Sequence, residues 1–275
     1  MKMTFVSGLI LGTVLTAFGQ VTTPAIQELH AGARSFDAGN FEEAQQHFQK
    51  AQVLDPTYKY TQLLLARVLH FQYRVGIQSA TNTALASRAI AAYKTYLTID
   101  PENDIAFGSV AALYGLIGEN ELQRLWLLER AGRESVPKDQ RAACYIVLAS
   151  KQWFCSFKET AKTTGARKCV SDGLELIEKA IALDPTSDLA WFYKAELLRQ
   201  MAEKEEAAGS DARYERLAAD AQRHFRELRM KRPGESVVTQ RKTLTGDDEL
   251  DAVLNNDFSL IYLAVPVPIE PDPPR

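Results

Sequence analysis

Val53-Leu54-Asp55-Pro56, Thr98-Ile99-Asp100-Pro101 and Ala182-Leu183-Asp184-Pro185 are three copies of one phrase in a chain of 275 residues. Each copy closes an apolar run with helical spacing and opens another. Proline lacks the N–H that would continue a helix, yet it suits the first turn of the next one. Repetition at tens of residues sets the architecture before any other argument begins. Stacked helix pairs offer an extended groove rather than a single chemical pocket.

Counting back five, eight and twelve residues from each proline gives matching trios. They are Ala51, Phe48 and Ala44 before Pro56, and Tyr96, Tyr93 and Ala89 before Pro101. Before Pro185 they are Ala180, Ile177 and Gly173, and before Pro233 they are Leu228, Phe225 and Ala221. Spacings of three and four put each trio on one helical stripe. A small residue beside a bulky one lets a neighbouring helix come close and lock. Counting forward six, ten and thirteen gives a second stripe: Trp191, Ala195 and Leu198 after Pro185, Phe107, Ala111 and Tyr114 after Pro101, and Gln62, Ala66 and Leu69 after Pro56.

The segment Gly32 to Pro56, with Gly32, Gly39-Asn40-Phe41, Ala44, Phe48, Ala51 and Pro56 in place, resembles the tetratricopeptide repeat family. The resemblance covers roughly residues 24–235. It implies an all-α, right-handed solenoid of about five antiparallel helix pairs, near 24–55, 57–99, 102–135, 138–183 and 186–231. The family's period is about 34 residues; here Pro56 and Pro101 are 45 apart, and Pro137, Pro185 and Pro233 are 48 apart. The extra length falls near 74–87, 157–167 and 201–213, as longer turns. After Pro233-Gly234 the periodicity stops, and 236–275 is expected to form an irregular, proline-rich tail. Its stretch Leu260 to Val265 argues for docking across the last pair, against a disordered end.

The net charge of −3 and pI near 5.9 favour neither nucleic acid nor an anionic membrane surface. The first residues have the pattern of a signal peptide: Lys2, an apolar stretch from Phe5 to Ala17, and the small residues Ala17 and Gly19 before Gln20. Residues 1–19 are therefore expected to be removed, with an uncleaved N-terminal anchor as the alternative. The mature chain is then exported, periplasmic or secreted, with no membrane span. Export permits cysteine pairing. Of Cys144, Cys155 and Cys169, the last two fall at facing ends of neighbouring helices. A Cys155–Cys169 bridge is one expectation and three buried thiols the other.

Catalytic constellations do not emerge. His30, His47, His70 and His224 include no helical metal pair, and no nucleophile elbow, phosphate loop or dinucleotide fingerprint occurs in a useful context. The acidic run Asp247-Asp248-Glu249-Leu250-Asp251 lacks the alternation and glycine of a calcium loop, and is expected to be a solvated turn. Arg223, Arg226, Arg229, Lys231 and Arg232 suit a helix C-terminus, where cations complement the dipole. No metal or cofactor is implied.

In proteins of the resembling family, the first helix of each pair lines the concave face. Positions four, seven, eleven and fourteen after each proline carry that face onto this sequence. They give Tyr60, Leu63, Arg67 and His70; Arg141, Cys144, Leu148 and Lys151; and Leu189, Phe192, Glu196 and Arg199. Ile105, Gly108, Ala112 and Gly115 are expected to form a smooth patch between them. Aromatic and basic groups in such a row suit an extended peptide; the competing arrangement packs the apolar members inside and lets the cations snorkel. Ala33 and Leu64 stand where family members that clamp a C-terminal carboxylate have Asn, so that activity does not transfer. The sequence thus points to a non-enzymatic scaffold that binds a protein or peptide partner at Tyr60, Arg67, His70, Arg141, Lys151, Phe192, Glu196 and Arg199. An envelope component acting mainly through its tail, and an enzyme with a dispersed site, are the two other classes.

Overall fold

Eleven helices and no strand form among the described residues. The computed structural model describes residues 22–158, 164–204, 210–231 and 244–255. The first ten helices make five consecutive pairs: α1 (Thr23–Asp37) with α2 (Phe41–Leu54), α3 (Tyr60–Gln72) with α4 (Ala80–Leu97), α5 (Asp104–Leu116) with α6 (Asn120–Gly132), α7 (Lys138–Lys158) with α8 (Thr164–Leu183), and α9 (Asp188–Lys204) with α10 (Ser210–Met230). Each helix packs mainly on its sequence neighbours, which is the arrangement of a solenoid. The five expected pairs are the five observed ones.

The Asp–Pro phrase ends its helices by side-chain chemistry as well as by proline. Asp55 Oδ1 accepts from Thr57 N at 3.1 Å and from Thr57 Oγ1 at 2.7 Å. Asp184 Oδ1 accepts from Thr186 N at 3.0 Å and from Thr186 Oγ1 at 2.7 Å, so two Asp-Pro-Thr copies build the same turn. Within the first pair, Gly39 turns the chain at φ 79°, a conformation that side chains resist. The longer turn after α3 is bracketed by Asn82, whose Nδ2 donates to Arg74 O at 2.7 Å and Ile77 O at 2.8 Å.

The small-large stripes carry the packing. Ala44, Phe48 and Ala51 are fully buried, as are Ala89, Tyr93 and Tyr96. Against Phe48 lies Gly32 of α1, where an added Cβ would sit 2.4 Å from Phe48 Cε1. Gly173 of α8 meets Leu197 of α9 in the same way, at 2.8 Å. Gly115 does not belong to an open smooth patch, because the side chain of Gln123 from α6 covers it, 2.8 Å from where a Cβ would be. That glutamine is held in place by donating from Nε2 to Ala111 O.

Cys155 and Cys169 are bonded, with Cα atoms 5.9 Å apart, and join α7 to α8. Cys144 is a buried free thiol, and burial pushes its pKa up to about 11. Residues 1–19 and the stretch Leu260 to Val265 lie outside the described residues. Among the described residues, no helix is long and apolar enough to cross a membrane.

One stretch of the tail, residues 244–255, departs from expectation. Asp248–Asn255 is a helix, α11, and it docks on α1 and α3 at the opposite end of the array from the last pair. The acidic run is not a solvated turn. Asp247 and Asp251 are spent on the local backbone and on His30 of α1, Glu249 faces Arg34 and Asp248 stays exposed, while Leu250, Val253 and Leu254 enter the core shared by the first two pairs.

Candidate functional site

Eight residues are too few for an isolated helix in water. The segment before α11 supplies what the helix lacks. Asp247 caps it, with Oδ1 accepting from Leu250 N at 3.1 Å. Gly246 turns at φ 78°. Asp251 reaches back and accepts from Leu244 N at 3.2 Å, Thr245 N at 2.9 Å and Thr245 Oγ1 at 2.8 Å. Residues 244–251 thus form a closed hydrogen-bonded start that presents Leu250, Val253 and Leu254 on one side.

The receiving surface is built by α1 and α3, the first helices of the first two pairs. Leu29, Ala33 and Phe36 come from α1, and Leu63, Leu64 and Arg67 from α3. Around this apolar floor stand basic groups. His30 Nε2 lies 2.6 Å from Asp247 Oδ2, and Arg34 Nη1 lies 3.6 Å from Glu249 Oε2. Burial alone would raise the Asp247 carboxyl, but the His30 hydrogen bond and the backbone N–H groups of Leu250 and Glu249 hold it below its ordinary value. Burial pushes the Tyr58 phenol up to about 12, with the carboxylates of Asp247 and Asp251 adding to the effect. Burying three aliphatic side chains contributes about 5–9 kcal/mol. Fixing eight residues costs a similar amount, at about 1 kcal/mol each. The docking is close to balance.

Arg67 is the anomaly of the site. Its side chain is 0 % exposed. Nη2 donates to Val253 O at 3.4 Å, the guanidinium carbon lies 5.2 Å from the centre of the Phe71 ring, and Nε and Nη1 have no hydrogen-bond partner. No described residue gives it a carboxylate. A buried cation normally comes with an anion, because leaving water costs several kcal/mol otherwise. One turn along α3, His70 is 3 % exposed, with Nδ1 3.3 Å from Tyr93 Oη. Burial, reinforced by the charge of Arg67, pulls its pKa down to about 3.

The residues assigned to a groove from the sequence do not form one continuous row. Arg67 and His70 lie together, but buried, and α11 meets Arg67. Tyr60 is half-buried beside Tyr58, with ring centres 5.6 Å apart. Arg141 Nε donates to Ala131 O at 2.8 Å, and Lys151 Nζ to Asn120 Oδ1 at 3.1 Å, so both tie α7 to α6. Phe192 is buried against Tyr193 and Phe225. Arg199 pairs with Glu196 and donates from Nη2 to Gln222 Oε1 at 2.8 Å, facing α10. An open cleft of about 970 Å³ beside it is lined by Arg199, Glu203, Gln222, Arg226 and Met230.

Sequence reasoning missed His30, Arg34 and the whole of α11. The signal for α11 was present: a Gly-Asp start followed by Leu250, Val253 and Leu254 at helical spacing, with acidic residues in the first turn. Among the described residues, no group of three or more His, Cys, Asp or Glu could hold a metal ion.

Residues 176–208, which span the end of α8 and the whole of α9, match the tetratricopeptide repeat family model. No curated protein matches the chain. Among solved structures, a double mutant described as MamA RS-1 ArsTM is 17 % identical over 78 % of this chain and 100 % of that one, with a TM-score of 0.46. A crystal structure of MamA protein is 15 % identical over 78 % of this chain and 97 % of that one, with a TM-score of 0.41.

Proposed function

We propose that this chain, which carries a tetratricopeptide repeat at 176–208, is a non-enzymatic scaffold that holds a protein partner on the face formed by the first helices of its pairs, in an exported compartment. One observation carries the scaffold reading: five nested helix pairs with a repeat-family match in the fourth and fifth. Such arrays work through extended surfaces set by the stacking of their units. Two further observations support the finer parts. The face at α1 and α3 already accepts a helix. The Cys155–Cys169 bond suits an oxidising compartment, as does the signal pattern of residues 1–19.

The test is affinity capture by the mature protein, followed by mass spectrometry. Tyr60, Lys151 and Arg199 retain exposed surface and can be changed with the least harm to folding, whereas Arg67 and Phe192 are buried. Replacing the three together (Tyr60→Ala, Lys151→Glu, Arg199→Glu) is expected to deplete the captured partner at least tenfold. Unchanged capture would remove the face from consideration. Thiol labelling of fractionated cells checks the compartment: Cys155 and Cys169 should resist labelling until a reductant is added.

A further inference from the structure

We infer that Asp257 supplies the carboxylate for the buried Arg67, and that this pair latches α11 over the α1–α3 end of the partner face, so that the chain guards that face with its own tail. The guarding role rests on the scaffold reading above; the latch itself does not. Arg67 is 0 % exposed. Among the described residues it meets a backbone carbonyl and an aromatic ring but no carboxylate, and Nε and Nη1 are left over. A guanidinium that has left water calls for an anion, and its planar fork takes a carboxylate through two parallel bonds.

The carbonyl that Arg67 does meet shows where the anion comes from. Nη2 donates to Val253 O, in the last turn of α11. The guanidinium therefore stands at the C-terminal end of that helix, where free carbonyls and the dipole favour a cation. In a helix, the side chain one turn beyond a given residue leans back over that residue's carbonyl. One turn past Val253 is Asp257, two residues beyond the end of α11 and nearer to it along the chain than any other acid outside the described residues. A single further turn brings its carboxylate to the Arg67 fork. Asp247 and Glu249 already meet His30 and Arg34 at the start of the helix, so charge then holds both ends, with Leu250, Val253 and Leu254 between them. The docking is close to balance on burial and entropy alone, so this second charged contact decides how long α11 stays. While it stays, a partner segment has no access to Leu29, Phe36, Leu63 and Leu64 beneath it.

Native-state hydrogen exchange of the α11 amides in the full-length protein tests the latch. Asp257→Asn keeps the shape and removes the charge, and should speed exchange about tenfold or more, because it leaves a buried cation unpaired. Asp257→Glu should recover most of the protection. Asp272→Asn, the same change farther along the tail, should leave exchange within about twofold of the unaltered protein. In the Arg67→Met protein, Asp257→Asn should alter exchange by less than about twofold, since an apolar side chain there calls for no anion. An effect of Asp257→Asn no larger than that of Asp272→Asn, or one equally large without the arginine, overturns the proposal. The three tail variants leave the core untouched, so their comparison decides the matter even where Arg67→Met fails to fold. Affinity capture reads the guard: Asp257→Asn should raise the recovered partner at least threefold, and equal recovery overturns the guarding role. Faster exchange with no partner captured by either protein supports the latch and overturns the scaffold reading, and the guard with it. A captured partner with unchanged exchange leaves the scaffold reading in place and overturns the latch.

Discussion

Acidification from pH 8 to pH 5 should loosen the second helix pair, and His70 is the reason. The imidazole lies between Arg67 of its own helix and Tyr93 of α4, and is 3 % exposed. Burial and the neighbouring guanidinium hold its pKa at about 3. In the unfolded chain a histidine titrates near 6.5. The sign follows from proton uptake. Below pH ~6.5 the unfolded chain binds a proton that the folded chain refuses, so stability present at neutral pH is lost as the pH falls toward 3. At pH 5 the unfolded histidine is about 97 % protonated and the folded one about 1 %, which corresponds to about 2 kcal/mol lost relative to pH 8. Native-state hydrogen exchange of the α3 and α4 amides, corrected for intrinsic rates, reads this locally. His70→Gln keeps a polar group against Tyr93 and removes the titration. The difference between the two pH profiles also cancels what every other group contributes. The expected result is an opening free energy that falls by about 2 kcal/mol more in the unaltered protein than in the variant. Profiles that run parallel between pH 8 and pH 5 would refute the claim that His70 is buried and neutral in the folded chain.

Gly32→Ala should destabilise the first pair by about 1–3 kcal/mol, because its Cβ would meet the Phe48 ring at 2.4 Å and force α1 and α2 apart. Urea melts followed by circular dichroism check this, and Phe48→Leu in the same chain should recover part of the loss. Asp247→Asn removes the charge facing His30 and weakens the cap on α11, so exchange of the α11 amides should rise about fivefold, for a loss of about 1 kcal/mol. In the unaltered protein the same contact should fade at acid pH: the Asp247 carboxylate is held below its ordinary value, so its contribution is complete above pH ~4 and is lost below that as the carboxylate protonates.

The five helix pairs were legible because their signals are local. The Asp-Pro-Thr turn is written in three consecutive residues, and the trio Ala44, Phe48 and Ala51 fixes a helix face by spacing alone. The reach of a long side chain is not local. Offsets from the prolines placed Arg141, Lys151 and Arg199 in a row for a partner, but each head group has a carbonyl or an amide oxygen of a neighbouring helix within range and uses it. Spacing tells which way a side chain leaves its helix and says nothing about what waits at its end.

The same distinction explains α11 and gives it a physical meaning. Its acidic run was expected to be solvated because charge at that density normally is. In the fold the charges separate by role: Asp247 caps, Asp251 ties down residues 244 and 245, and Glu249 points to Arg34. None of those partners was needed to make a helix elsewhere in the chain. An element of eight residues exists only because α1 and α3 receive it, so its stability is a property of the receiving face. A face that orders a segment this short is strongly apolar and cationic before the segment arrives. Among the described residues, the Arg67 guanidinium meets the Val253 carbonyl and the Phe71 ring and no carboxylate, so the segment docks on a buried cation as well as on an apolar floor.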